Sequence, residues 1–219
     1  KRGVGQMAYQ KSKETKAKIL EIVKRSFYEV GFKKTTMRAI AEEAGMNQGL
    51  IYYYFKSKYD LAHYIIDDHF YRASTLFRKY LNPDDDLFLF TLVLIRAVLR
   101  EVYCNPKDLE LYLHAYEKPY CDWSQVEYCM LICQEHGISI DQKTAEVAVL
   151  LTTGAWSQLY FNNELLSEKV DLNEIRDTTD ILRWCYLGFP KEEVIEKIKN
   201  AYAVLETIPL LEIPLLKEG

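Results

Sequence analysis

Between Ile19 and Leu205 the apolar residues recur at steps of three and four, and no convincing run of period-two alternation interrupts them. Such a chain buries its apolar side as packed helices, so the expected fold class is all-α. Capping residues, glycines and prolines mark the boundaries. Ser12 or Thr15 is placed to cap a first helix carrying Ile19, Ile22, Val23, Phe27 and Val30, and Gly31 to end it in the left-handed conformation. Thr35 or Thr36 opens a short second helix through Met37, Ile40, Ala41 and Ala44. Gly45 stops it, and Asn47 caps a third helix running to about Phe55. Ser57 and Asp60 form a pair like a capping box at the head of a fourth helix, which Asn82-Pro83 breaks. Later helices are expected over 85–104, 107–117, 121–136, 142–164, 172–187 and 191–207. With 219 residues there is room for two domains: a three-helix domain with a helix-turn-helix over residues 1–56, and a larger helical domain over 57–219.

Residues 35–55, TTMRAIAEEAGMNQGLIYYYF, put two short helices on either side of a tight turn at Gly45. Ile40, Ala44, Ile51 and Phe55 supply a small shared core, and Ala41 and Ala44 are small enough for close crossing. On the third helix Gln48, Gly49, Tyr52 and Tyr53 share one broad face while Ile51 and Phe55 turn away from it. Three consecutive tyrosines cannot all face inward, because neighbours on a helix are ~100° apart. An amide can pair with adenine, and a phenol can touch a thymine methyl or donate to phosphate. Gly49 lets the backbone come close. Lys58 is placed to neutralise a phosphate, and Thr35 and Thr36 to donate to the nucleic-acid backbone. Charge agrees with this division. Residues 1–60 hold 13 Lys and Arg against 6 Asp and Glu, and the remainder 15 against 26. A basic end on an acidic body implies that only the first quarter approaches a polyanion, and the groups on the third helix suit double-stranded DNA.

The ordered set Thr35-Thr36, Ile40-Ala41, Ala44-Gly45, Gly49, Tyr52-Tyr53, Phe55, Ser57-Lys58 and Asp60-Leu61 resembles the N-terminal domain of the TetR family of helix-turn-helix regulators over residues 12–61. The resemblance implies a homodimer, a helical body that binds a small-molecule effector, and repression of transcription relieved by that effector. By the same likeness Gln48, Gly49, Tyr52, Tyr53 and Lys58 fall at DNA-contacting positions. Two positions depart from the pattern: Leu50 stands where the family usually has Thr or Ser, and Tyr59 replaces a common Glu.

Beyond residue 82 no motif is evident, and roles follow from composition and family likeness. Helices 142–164 and 172–187 are the expected dimer interface, the first through Ala145, Ala148, Val149, Thr152, Ala155, Trp156, Leu159 and Tyr160, the second through Ile175, Ile181, Leu182 and Trp184. The helix at 191–207, with Val194, Ile198 and Leu205, is an alternative second member. A cavity for a flat, partly apolar or aromatic effector is expected among Tyr103, Tyr112, His114, Tyr116, Trp123, Tyr128, Met130, Trp156, Tyr160 and Phe161. For each ring taken singly, a place in the core is the commoner outcome. Cys129, Cys133 and His136 share a helical face with Cys121 nearby, but without paired motif spacing they read as buried hydrophobes, and no metal is expected. Nor is a cofactor or an enzyme, since nucleophile elbow, phosphate loop, HExxH and dinucleotide fingerprints are all missing from the sequence. Five irregularly spaced cysteines, a polar Lys-rich start and an apolar stretch that stops at Arg96 point to the cytoplasm, without disulfides or a membrane span. Lys1 to Gln6 precede Met7 and read as an appended tail or a basic arm.

Overall fold

The computed structural model describes residues 2–118 and 120–216, with side chains from Ser12 onward. It comprises α1 (Arg2–Glu29), α2 (Met37–Ala44), α3 (Gln48–Tyr54), α4 (Lys58–Phe77), α5 (Leu87–Cys104), α6 (Pro106–Ala115), α7 (Trp123–Glu135), α8 (Gln142–Phe161), α9 (Leu172–Tyr186) and α10 (Lys191–Glu206), with a short 3-10 turn at Asn163–Leu165. Among the described residues there is no strand. The expected helices all form. One start is corrected: α1 runs through Ser12 and Thr15 from Arg2, so neither residue caps it. Val30, expected on the apolar side of that helix, lies beyond its end and is exposed.

The starts that do carry caps explain why the helices begin where they do. Thr36 accepts from the Ala39 amide at 3.1 Å, and Asn47 from that of Gly49 at 2.7 Å. Asp122, Asp141 and Asp171 do the same for α7, α8 and α9. At α4 the Ser57 hydroxyl accepts from the Asp60 amide at 3.1 Å, and the Asp60 carboxylate reaches back to the Lys56 amide at 2.9 Å. Gly45 closes α2 at φ 62°, where its amide reaches the carbonyls of the last turn.

The chain divides into two units, one made of residues 1–75, 98–115 and 211–219, the other of 76–97 and 116–210. The boundary expected after residue 56 lies inside the first unit, which takes in most of α4, the end of α5, α6 and the chain end. Its core joins Ile19, Val23 and Phe27 of α1 to Ile40 and Ala44 of α2, Ile51 of α3, and Leu61, Ile65 and Ile66 of α4. Phe32, in the turn after α1, packs on Phe27, Tyr59 and His114 at ring distances of 5.3, 5.3 and 6.0 Å.

The second unit is built on α7 to α10 and the start of α5. Phe88, Trp184 and Phe189 meet at 4.2–5.5 Å. It also buries a charged network. Arg96 pairs with Asp177 and with Asp180 at 3.1 Å, Arg176 pairs with Asp180, and the Tyr202 hydroxyl donates to Asp177 at 3.1 Å. Burial raises the Asp180 carboxyl, but Arg176 and Arg96 outweigh that and hold it below its ordinary value. Here the expected dimer surface is corrected. Ala145, Ala148, Val149, Thr152 and Trp156 of α8, Ile175 and Trp184 of α9, and Val194, Ile198 and Leu205 of α10 are buried within the described chain. Of the residues expected there Leu182 does face outward, and beside it Leu150, Leu151 and Tyr186 are the other large apolar or aromatic residues that α8 and α9 expose.

Candidate nucleic-acid interface

The turn at Gly45 sets α3 across α2, and Ile51, fully buried, is the pin that fixes which way α3 faces. With that residue inward, helical geometry turns Gly49 and Tyr53 outward, Gln48 and Tyr52 to one flank, and Leu50 and Tyr54 to the other. Exposure follows the wheel: Gln48, Gly49, Leu50, Tyr52 and Tyr53 are all exposed, Tyr53 at 79 %. The ring of Tyr54 stands edge-on to that of Tyr53 at 5.2 Å. The face therefore carries an amide, a bare backbone position, two exposed phenols and one leucine.

Polar side chains from α1 hold α2, the first of these two short helices, in place. Glu43 of α2 accepts from Arg25 at 3.1 Å and from the Ser26 hydroxyl at 3.0 Å. The hydrogen bond from Arg25 holds the Glu43 carboxyl below its ordinary value. Lys18 donates to the Ala44 carbonyl at 3.1 Å, at the end of α2. These contacts tie α2, 8 residues long, to the 28-residue α1.

Two residues expected to meet DNA are placed otherwise. Thr35 is only 3 % exposed, and its hydroxyl donates to the Gly31 carbonyl at 2.8 Å. A β-branched side chain in so tight a turn can satisfy its hydroxyl locally, and does. The Lys58 ammonium donates to the Phe32 carbonyl at 2.6 Å and lies 4.3 Å from the centre of the Phe32 ring, so it anchors α4 to the turn after α1. Thr36 is exposed but spends its oxygen on capping α2. The positive charge beside the reading face comes from residues the sequence reading passed over: Lys33 and Lys34 ahead of α2, and Lys56 after α3, all exposed. Each lies in a turn flanking the helix pair, and that position was the signal available.

The aromatic residues expected around an effector are distributed over both units. Tyr103, Tyr112 and His114 belong to the first unit, where His114 stacks on Phe32. Tyr116, Trp123, Tyr128, Trp156 and Tyr160 belong to the second. There Trp156 stacks on Tyr160 at 5.8 Å and meets Tyr116 at 6.2 Å. Trp123, 61 % exposed, stands at the start of α7. The two described cavities are lined by other residues. One, of about 570 Å³, lies between α1 and α4 along Lys18, Glu21, Lys24, Tyr64 and Asp68. The other, of about 240 Å³, lies beside His69, Glu101 and Asp108. Cys129 and Cys133 are buried with thiols pushed up by burial, Cys133 to about 11, and His136 bonds the Ile132 carbonyl at 2.9 Å. No group of three or more metal-ligating side chains converges among the described residues.

Residues 19–65 match the family described as bacterial regulatory proteins, tetR family. The HTH-type transcriptional regulator TtgR of Pseudomonas putida is 39 % identical over 71 residues, 30 % of this chain and 34 % of that one. An HTH-type transcriptional regulator of Staphylococcus aureus is 40 % identical over 55 residues, 25 % and 30 % of the two chains. The chain thus matches about a third of the length of these relatives. Among solved structures, a gamma-butyrolactone receptor (ArpA-like protein) is similar over 81 % of this chain and 97 % of its own, at 17 % identity and a TM-score of 0.36. No helix among the described residues is long and apolar enough to cross a membrane.

Proposed function

We propose, from the match of residues 19–65 to the TetR family of bacterial regulatory proteins, that the whole chain is a dimeric, cytoplasmic transcriptional repressor rather than an enzyme. It binds a double-stranded operator through α3 and leaves it when its helical body takes up a small, partly apolar or aromatic effector. One observation carries the DNA-binding part: a short helix pinned by buried Ile51 presents Gln48, Gly49, Tyr52 and Tyr53 to solvent. Their chemistry matches a major groove, where an amide meets adenine and phenols meet thymine methyls or phosphates. Lys33, Lys34 and Lys56 flank it as phosphate partners.

Two-fold operators need two readers, and the reading therefore includes a homodimer. Leu150, Leu151 and Leu182 lie exposed on packed helices α8 and α9, and a Cβ built on Gly154 meets nothing within 4 Å. That outward face is apolar, open and able to accept its own copy. The effector part is supported by the Tyr116, Trp156 and Tyr160 cluster, whose rings suit a flat molecule. An effector acts only through different affinity for the bound and released forms.

The deciding measurement is affinity for duplex DNA against salt. A reader contacting phosphates loses affinity with a log–log slope of about −0.9 per phosphate neutralised. Tyr53→Ala is expected to weaken operator binding roughly tenfold with an unchanged melting curve, the ring being exposed. Binding that ignores both salt and Tyr53 would remove DNA reading from this face.

A further inference from the structure

We propose that Leu50 is a sequence-reading residue that selects a thymine through its 5-methyl group; the proposal rests on α3 entering a major groove. Leu50 is 40 % exposed on the flank of α3 next to the outward-facing Tyr53. A leucine has no donor or acceptor, so it can neither hold a phosphate nor pair with a base edge. The one apolar feature an unmodified base shows in the major groove is the thymine methyl. Apolar surface left in water on the reading face gains on docking only by covering such a group.

Reach decides whether the contact is possible. Leucine is shorter than glutamine or tyrosine, and it touches a base only where the helix backbone comes close. Gly49 supplies that approach at the outward centre of the helix, where a Cβ would meet only the Asn47 side chain at 3.2 Å. The rings of Tyr53 and Tyr54, edge-on at 5.2 Å, make the corner beside the leucine apolar as well. Amide on one flank and aliphatic group on the other give the helix two different letters to read. Gln48 suits adenine on its side, and Leu50 suits thymine on the other.

The test enriches operator duplexes from a random pool with the full chain. Each thymine of the enriched site is then replaced by deoxyuridine, which lacks only the 5-methyl. We expect one thymine per half-site at which this replacement weakens the native protein about fourfold, roughly the worth of one buried methyl-sized group at ~0.8 kcal/mol. Leu50→Ala is expected to bind thymine and deoxyuridine there equally, while Leu50→Met keeps the difference and guards against a folding defect in the first variant. Indifference of the native protein to every replacement overturns the proposal. So does a methyl preference that persists in Leu50→Ala, which would assign it to a neighbour such as Tyr53. Failure to enrich any duplex at low salt overturns the DNA-binding reading itself, a separate outcome.

Discussion

Thr35 and Thr36 are adjacent, chemically identical and opposite in use. The first is buried with its hydroxyl donated to the Gly31 carbonyl; the second stands in solvent and caps α2. Thr35→Val keeps the shape and removes the bond, so it is expected to cost about 1 kcal/mol in a denaturant melt. At temperatures well below the melt, DNA affinity and its salt slope are expected to stay at native values. A phosphate contact at Thr35 would instead lower affinity and flatten the slope. His69 offers a titration. It is buried, its Nε2–H donates to the Ile213 carbonyl at 2.7 Å, and its pKa is lowered to about 4, chiefly by burial, with Arg72 and Lys24 adding to the shift and Asp68 opposing it. A depressed histidine stabilises the fold above its unfolded pKa of about 6.5, and that contribution is lost as pH falls towards the folded value. Relative to His69→Gln, which retains a donor, native stability is expected to fall about 1.4 kcal/mol more per pH unit between about 6.5 and 4. Equal pH profiles for the two proteins would show that the ring is not held neutral.

At the scale of elements, what the sequence announced was whatever depended on near neighbours. Helix spacing, the Gly45 stop and the Asn47 cap are local, and α2 and α3 form where their patterns place them. The outward row of α3 was legible for the same reason: once Ile51 is inward, the rest follows from 100° per residue. The anchoring of Lys58 was not legible locally, because its partners, the Phe32 and Lys33 carbonyls, lie some 25 positions away. Distance in sequence also hid the chain end. Residues 211–216 lie outside any helix, beside α4, α5 and α6. The Leu211 amide donates to Glu101, those of Leu215 and Leu216 both donate to Asp108 at 3.2 Å, and Arg72 donates to the Pro214 carbonyl at 3.4 Å. Pro209 and Pro214 have no amide hydrogen to satisfy, which suits a segment outside any helix. Burial raises the Asp108 carboxyl, and its two amide donors oppose that. Asp108→Ala leaves both amides without an acceptor in a buried place. It is expected to cost about 2–3 kcal/mol and to expose 211–216 to protease ahead of global unfolding. Resistance equal to the native chain would mean that Leu211, Leu215 and Leu216, buried beneath the segment, hold it by themselves.

For the whole molecule, the proposed function poses one question above others: how a basic reader on an acidic body would grip one duplex twice. A single α3 spans too few bases to select a genomic site, and pairing two copies multiplies their specificity. The proposed pairing requires a surface that pairs without disturbing the fold, and the outward side of α8 and α9 is the candidate for it. The residues that hold these helices together, among them Ala148, Thr152 and Trp184, are buried, while Leu151 at 57 % and Leu182 at 51 % exposure face outward. Inner and outer faces can therefore be altered independently. Placing a carboxylate at Leu151 costs little in the separated chain, where water solvates it. In the dimer that carboxylate would meet its own copy's apolar face, buried and unpaired, and around a two-fold axis it would be repeated. Leu151→Asp is expected to raise the dimer dissociation constant at least tenfold by sedimentation equilibrium, with an unchanged helical signal and monomer melt. Operator affinity is expected to fall with it, steeply at low protein concentration and less at high, because mass action restores the pair. A variant that stays dimeric, or a native chain that sediments as a monomer at micromolar concentration, would move the pairing surface away from α8 and α9.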